Sequence, residues 1–305
     1  MKEKILKTIV CIIVIIIVAI IIELSYLMIA DIETKLPNEN NYSCLIDQKK
    51  FKNRNVFIIT PKEVQKTDIT ILYFHGGSYM AEATEQHWSF LEKIINDTGA
   101  TVILPDYPLT PKYHYQDVFN MVEPLYEKII EKINPDNLIL MGDSAGGGLT
   151  LALEESLSSK GVIMPGKTIL ISPWLDVRLE NPDIDKVQKY DRELNKDALK
   201  LAGMAYAGAN GEGIDSFLVN PIDGDLSKLK NITIFTGTYD ILNPDVKVLV
   251  SKAEKQNIKI DVKEYEKASH IWLLKDPEKN SNEKDAINNG YNELINVIKE
   301  KSTEE

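Results

Sequence analysis

Cysteine is almost absent from this chain: Cys11 and Cys44 are the only two among 305 residues. Cys11 lies inside an apolar run and Cys44 outside it, so the pair belongs to different phases and a disulfide framework is excluded. There is no C-x-x-C and no Cys/His cluster at ligand spacing, so neither a metal nor a metal cofactor is expected. A chain of this length can bury a large core and needs no staple. Positive charge is also in short supply. Thirty-five Lys and Arg stand against 46 Asp and Glu, a formal charge of −11. With no dense Lys/Arg stripe, such a chain is repelled by phosphate backbones, which removes nucleic acid from the expected partners. Internal repeats, low-complexity tracts and Pro/Gly/Ser-rich linkers are missing too, and that argues for one globular domain.

The sequence does contain one long apolar run. Residues Thr8–Ile22 read TIVCIIVIIIVAIII behind Lys2, Lys4 and Lys7, and apolar character continues past Glu23 to Ile29. At 1.5 Å per helical residue, roughly 20 residues cross a hydrocarbon core of about 30 Å. The segment meets that length if Glu23 sits at the far interface. Three readings stand: an uncleaved anchor, a cleaved signal peptide and a buried helix of a soluble domain. The length of the run, and a large Met28 where a cleavage site wants a small residue, favour the anchor. Basic flanks stay cytoplasmic, so the domain is expected on the outer face of the cell membrane, single-pass, with secretion as the alternative. The expected organisation is an anchor at 1–30, a polar connector at 31–54 and a globular domain at 55–305.

Beyond the connector, short β-rich runs alternate with amphipathic segments. Asn55–Thr60, Asp68–Phe74, Thr101–Pro105, Asn137–Met141, Lys167–Ser172, Ile232–Thr236 and Ile258–Glu264 read as strands. His87–Asp97, Asp117–Ile133, Gly146–Leu157 and Asp285–Lys299 read as helices, with Gly99 a stop signal for the first. Apolar strands alternating with helices predict an α/β fold with a mostly parallel sheet covered on both faces. Sites in such folds lie at the carboxyl ends of the strands. Residues 176–216 break the alternation, with a helix-like stretch at Leu194–Tyr206, and are expected to form an excursion that caps the site.

Two motifs follow strands. Gly142-Asp143-Ser144-Ala145-Gly146 is a G-x-S-x-G between a predicted strand and a predicted helix. A serine on so sharp a turn is held in a strained backbone, and the residues two before and two after it must have almost no side chain. The helix behind it aims free N–H groups at developing negative charge. His75-Gly76-Gly77-Ser78-Tyr79 directly follows Phe74, and paired glycines there let backbone N–H groups approach a ligand closely. The expected oxyanion donors are the N–H groups of Gly76, Gly77 and Ala145, each stabilising an anionic intermediate by about 3–4 kcal/mol. The bland reading of either motif is a glycine-rich turn; their joint occurrence at strand ends argues against it.

At these motifs the chain resembles the hormone-sensitive-lipase-like esterase/lipase branch of the α/β-hydrolase fold. The resemblance runs from about Asn55 to Trp272 and rests on HGGSY at 75–79, DYPLTP at 106–111, GDSAGGG at 142–148, ISPWLD at 171–176, NPIDGDLSKL at 220–229, GTYDILNPD at 237–245 and SHIW at 269–272. It implies an α/β-hydrolase fold with a small helical cap and serine-dependent hydrolysis of carboxylic esters with short to medium acyl chains. Where the family commonly has a third glycine, this chain has Ser78. The loop before its last histidine reads Lys267-Ala268-Ser269, without the glycine usual there. The N-terminal apolar segment is not part of the family pattern.

A serine nucleophile needs a base, and that base needs an orienting group. Of the four histidines, only His270 follows Ser144, as the Ser, acid, His order of this fold requires. Asp240 is the first acid after the strand Ile232–Thr236, and the resemblance points to it as well; Asp245 is the runner-up. The chemistry calls for no cofactor and no metal. Two rivals share the scaffold, a peptidase or amidase using the same three groups and a non-catalytic binding domain. Trp88, Trp174 and Trp272 are candidates for a pocket wall or for plain core.

Overall fold

The computed structural model describes Ile16, residues 31–38 and residues 41–300. Ile16 apart, the apolar segment expected as an anchor lies outside the described residues. Among the described residues no helix is long and apolar enough to cross a membrane.

The strands are β1 Cys44–Phe51, β2 Arg54–Pro61, β3 Thr70–Phe74, β4 Thr101–Pro105, β5 Leu138–Asp143, β6 Lys167–Ile171, β7 Ile232–Gly237 and β8 Ile260–Tyr265. They form one sheet in the order β1-β2-β4-β3-β5-β6-β7-β8. Strands β3 to β8 are parallel, whereas β2 runs antiparallel to both β1 and β4. Every residue of β3, β4, β5 and β6 is buried, which is why these strands read as continuous apolar runs and not as alternating ones.

The helices are α1 Glu85–Thr98, α2 Tyr115–Ile130, α3 Ser144–Ser159, α4 Ile184–Val187, α5 Lys196–Ala207, α6 Asn243–Lys255 and α7 Lys284–Lys299. The two faces of the sheet bury different helices. Leu72 and Phe74 join α2 and α3 in one cluster, while Ile71 and Tyr73 join α1 and α7 in another. This is the period-two alternation of a strand feeding two cores. Gly99 closes α1 in a left-handed conformation at φ 69°, its N–H donating to the Ile95 carbonyl.

Three features differ from the sequence expectation. The stretch 31–54, expected as a connector, supplies β1, joined to β2 through Lys52 and Asn53 at φ 45° and 65°. Two successive positive-φ residues give the turn twist that a hairpin needs. Residues 31–34 are also tied down: Arg54 donates to Asp31 at 2.5 Å and to the Ile32 carbonyl at 2.9 Å, and Thr34 N–H donates to Asp106 at 2.8 Å. Second, α6 follows β7 where no helix was expected. Third, the excursion at 176–216 holds a short helix, α4, that was not expected, ahead of α5, which falls on the helix-like stretch at Leu194–Tyr206. Helix α5 lies over the loop after β3, where Tyr206 stacks on Tyr79 with ring centroids 3.6 Å apart.

Candidate active site

Four segments converge at the carboxyl ends of β3, β5, β7 and β8. The register of β3 against β5 sets Phe74 opposite Gly142, so the loop beginning at His75 must lie beside Asp143 and Ser144. Ser144 opens α3 with φ 52°, a left-handed backbone that costs an ordinary residue about 1–2 kcal/mol. The flanking glycines make that turn possible. A Cβ on Gly142 would run into the Gly146 carbonyl, and a Cβ on Gly146 into the carbonyls of Phe74 and His75.

The structure brings Ser144, His270 and Asp240 into one line. His270 Nε2 lies 2.9 Å from Ser144 Oγ, and His270 Nδ1 lies 2.9 Å from Asp240 Oδ2. Asp240 is completely buried and His270 nearly so. The other Asp240 oxygen accepts the Leu242 N–H at 2.9 Å, which fixes the carboxylate plane. Burial works against an imidazolium at His270. The charge and hydrogen bond of Asp240, with more distant Asp191 and Glu193, outweigh it and raise the imidazole above its ordinary range. Asp245, the other acid considered, points elsewhere. It accepts from Asn181 Nδ2 at 2.9 Å, and burial lifts its carboxyl to about 6.

The three N–H groups expected to face an oxyanion are not equivalent. Gly76 N–H donates to Asp143 Oδ1 at 2.9 Å, so its donor is committed to the elbow itself. The same oxygen accepts from Tyr73 Oη at 2.6 Å, and His87 Nε2 stands 3.4 Å from the carboxylate. Burial pushes the Asp143 carboxyl up, but His87, Tyr73 and the Gly76 N–H together hold it below the ordinary range. Gly77, Ser78 and Tyr79 come next at φ 118°, 55° and 61°, three successive residues in the left-handed region. Ala145 is fully buried in the first turn of α3.

His75 plays a supporting part. Its ring stacks on Tyr107 at 4.5 Å, Nδ1 donates to the Gly76 carbonyl at 2.7 Å, and burial beside His87 lowers its pKa to about 4. It is neutral and 0% exposed, hence a brace for the loop. His87 accepts the Thr84 N–H on Nδ1 at 3.0 Å, which leaves Nε2 as the proton-bearing nitrogen toward Asp143. His114 holds the excursion, with Nδ1 2.9 Å from the Ala205 carbonyl. All three tryptophans are buried. Trp88 packs edge-on against Phe57, Trp272 lies against Tyr265, and Trp174 stacks near Tyr79.

Sequence reasoning missed Asp191. From the middle of the excursion its Oδ2 accepts the Ile241 N–H at 2.9 Å, while Oδ1 accepts the N–H groups of Glu193 and Leu194. The residue thus ties the excursion to the loop that carries Asp240. Nothing in the local string Tyr190-Asp191-Arg192-Glu193 distinguishes it from a turn aspartate.

Comparison with known proteins agrees with this architecture. The alpha/beta hydrolase fold family matches residues 71–274. An esterase of Acinetobacter venetianus is 31% identical over 196 residues, 64% of each chain, so the match spans just under two thirds of that relative's length. An acetyl-hydrolase of Streptomyces hygroscopicus is 28% identical over 67% of this chain and 68% of its own. Among solved structures, a candidate esterase from Staphylococcus aureus superposes with a TM-score of 0.77 at 27% identity, covering 89% of this chain and 88% of that one. With two thirds of its length matched and the strand order, elbow and loop all in place, the chain belongs to the alpha/beta hydrolase fold family.

Proposed function

We propose that the protein is a carboxylic ester hydrolase acting through an acyl-enzyme, with Ser144 as nucleophile, His270 as base and Asp240 as its orienting acid. The observation that carries this reading is the unbroken line of two 2.9 Å hydrogen bonds from Ser144 to His270 to Asp240. His270 accepts the Ser144 proton as Oγ bonds to the ester carbonyl carbon, and the carbonyl oxygen becomes the oxyanion. Collapse breaks the ester C–O bond, and His270 returns the proton to the departing alcohol. Water, losing a proton to the same nitrogen, then attacks the acyl carbon; collapse breaks the acyl–Oγ bond, His270 returns the proton to Ser144 Oγ, and the acid departs.

Gly77 and Ala145 supply the oxyanion donors, with Ser78 N–H in place of Gly76, whose N–H is held by Asp143. The exchange costs nothing chemically, because the donor is backbone in either case. The excursion at 176–216 serves as the cap, through the Tyr79–Tyr206 stack and the Asp191 tie. The acetyl-hydrolase relative supports acyl groups at the short end of the range. Residues 8–29 tether the domain to the outer face of a membrane, a reading that rests on the length and basic flank of that run.

A fluorophosphonate probe, which requires an activated serine, tests the assignment. Wild-type protein should be labelled once, at Ser144, and should hydrolyse a series of 4-nitrophenyl esters with a preference for short acyl chains. Ser144→Ala should abolish labelling and leave less than about a hundredth of the activity. Labelling at another serine, or ester cleavage that survives the substitution, would sink the proposal.

A further inference from the structure

The chain carries a net charge of −11, yet one cleft gathers positive charge. It opens at the amino ends of β3 and β4, the end of the sheet away from Ser144, between the last turns of α2 and the β1–β2 hairpin. Lys49, Lys50, Lys66, Lys128 and Lys132 rim it, and Asp68 is the one acid among its lining residues. The floor is apolar, formed by Phe51, Ile58, Ile103, Leu125 and Ile129. Its volume of about 710 Å³ falls within the range of small-molecule sites, about 300–1,000 Å³.

The charge is only partly neutralised from within. Lys49 pairs with Asp47 at 2.8 Å and Lys50 approaches Glu33 at 3.8 Å. Among the described residues, Lys66, Lys128 and Lys132 have no ion pair. Lys128 lies over the Phe51 ring at 5.6 Å, which draws its ammonium toward the apolar floor. Thr101 lines the cleft and is itself 7% exposed, with its hydroxyl oxygen buried.

We propose that this cleft is a second binding site, for an amphiphilic carboxylate of the medium-chain fatty acid class. The carboxylate head sits among Lys66, Lys128 and Lys132, and the alkyl chain lies along the apolar floor. A neutral lipid would leave the lysines unused, and a small inorganic anion would leave the floor wet. The combination selects a ligand with one charged end and one apolar body. Such an acid is also a product of ester hydrolysis, but the site does not depend on the esterase reading, since its occupancy is measured as binding.

The test uses the full chain in phosphatidylcholine nanodiscs with a dodecanoate bearing a diazirine on its chain. Photolysis should label peptides covering residues 49–58 or 125–132. Unlabelled dodecanoate should compete at least tenfold more effectively than dodecanol. From octanoate to dodecanoate, each methylene should tighten competition about fourfold, from about 0.8 kcal/mol per methylene at 1.4 kcal/mol per tenfold. The double variant Lys128→Gln/Lys132→Gln should cut labelling about tenfold while hydrolysing a soluble ester at the wild-type rate, which also reports an intact fold. Labels confined to the Ser144 cleft or to residues 8–29, or equal competition by dodecanol, would overturn the proposal. A chain that hydrolyses no ester yet labels at 125–132 supports this site and counts against the esterase reading alone.

Discussion

Replacing Asp240 with asparagine removes one charge and leaves the outline of the side chain almost unchanged. When His270 accepts the Ser144 proton, an imidazolium forms beside the buried Asp240 carboxylate. Opposite charges 2.9 Å apart attract by about 6 kcal/mol at an effective dielectric near 20, an upper bound on what the carboxylate lends the transition state. Part of that returns if the amide oxygen still accepts from Nδ1. The expected loss in kcat/KM is therefore about 10³–10⁴-fold, read with 4-nitrophenyl butyrate across pH. Asp245→Asn is the control. Its carboxylate bonds to Asn181, not to His270, so activity should stay within about threefold of wild type. The pH profile adds a second signature. Burial disfavours the His270 imidazolium, but Asp240 more than compensates, so protonation, which removes the base, sets in above the ordinary histidine range as pH falls. In Asp240→Asn the burial effect is left with less opposition, and the acid limb should move to lower pH. An Asp240→Asn enzyme retaining a tenth of wild-type kcat/KM, or an Asp245→Asn enzyme losing tenfold, would refute the assignment of the acid.

Other substitutions test the scaffold around that line. Gly142→Val should yield little folded protein on circular dichroism, because its side chain would occupy the space of the Gly146 carbonyl. Ser78→Gly should leave both melting temperature and ester hydrolysis near wild type: release from φ 55° is worth about 1 kcal/mol, and the extra freedom of an unfolded glycine takes back about as much. Asp245→Asn should stabilise the protein at pH 7. Burial raises the folded carboxyl from 3.8 to about 6, so the native state binds more protons between those values and wild-type stability falls as pH rises through that window. The variant lacks that fall, a gain of about 3 kcal/mol at most that urea denaturation at pH 4 and pH 7 would reveal.

How much of this was legible in the sequence depended on how locally each feature is determined. The elbow was readable because Gly142, Ser144 and Gly146 impose the turn by their own sterics. The strands β3 to β6 were readable because burial on both faces leaves an unbroken apolar stretch in each. Strand β1 was not: as an outer strand it buries only Cys44 fully, and Asp47 to Lys50 read as solvated chain. Helix α6 was hidden by Val246, Val248 and Val250, β-branched residues more at home in a strand, although Pro244 in its first turn is a good helix start. Asp191 could not be found because its partner, the Ile241 N–H, lies fifty positions along the chain.

The Gly76 N–H shows the same limit and also explains why the site holds its shape. A motif records that two glycines follow a strand; it does not record what stands beside them. That neighbour is fixed by the pairing of β3 with β5, which places Phe74 against Gly142 and so brings Gly76 to Asp143. Asp143 immediately precedes the nucleophile, and its carboxylate joins Gly76 to Tyr73 and His87 on the β3 and α1 side. The positive φ of Ser144 is strained, and strain persists only where the surroundings over-determine it. Here a buried carboxylate held by three donors, together with an elbow too tight for any Cβ, supplies that constraint from the center of the sheet. The oxyanion loop and the nucleophile are therefore aligned by strand register. The excursion that carries Asp191 reaches the site from its side, through Tyr206 on Tyr79, Tyr190 on Tyr239 and the Ile241 N–H. It follows that the substrate-facing surface of the excursion can vary in sequence without disturbing the geometry of bond cleavage, whereas a one-residue slip of β3 against β5 would abolish it.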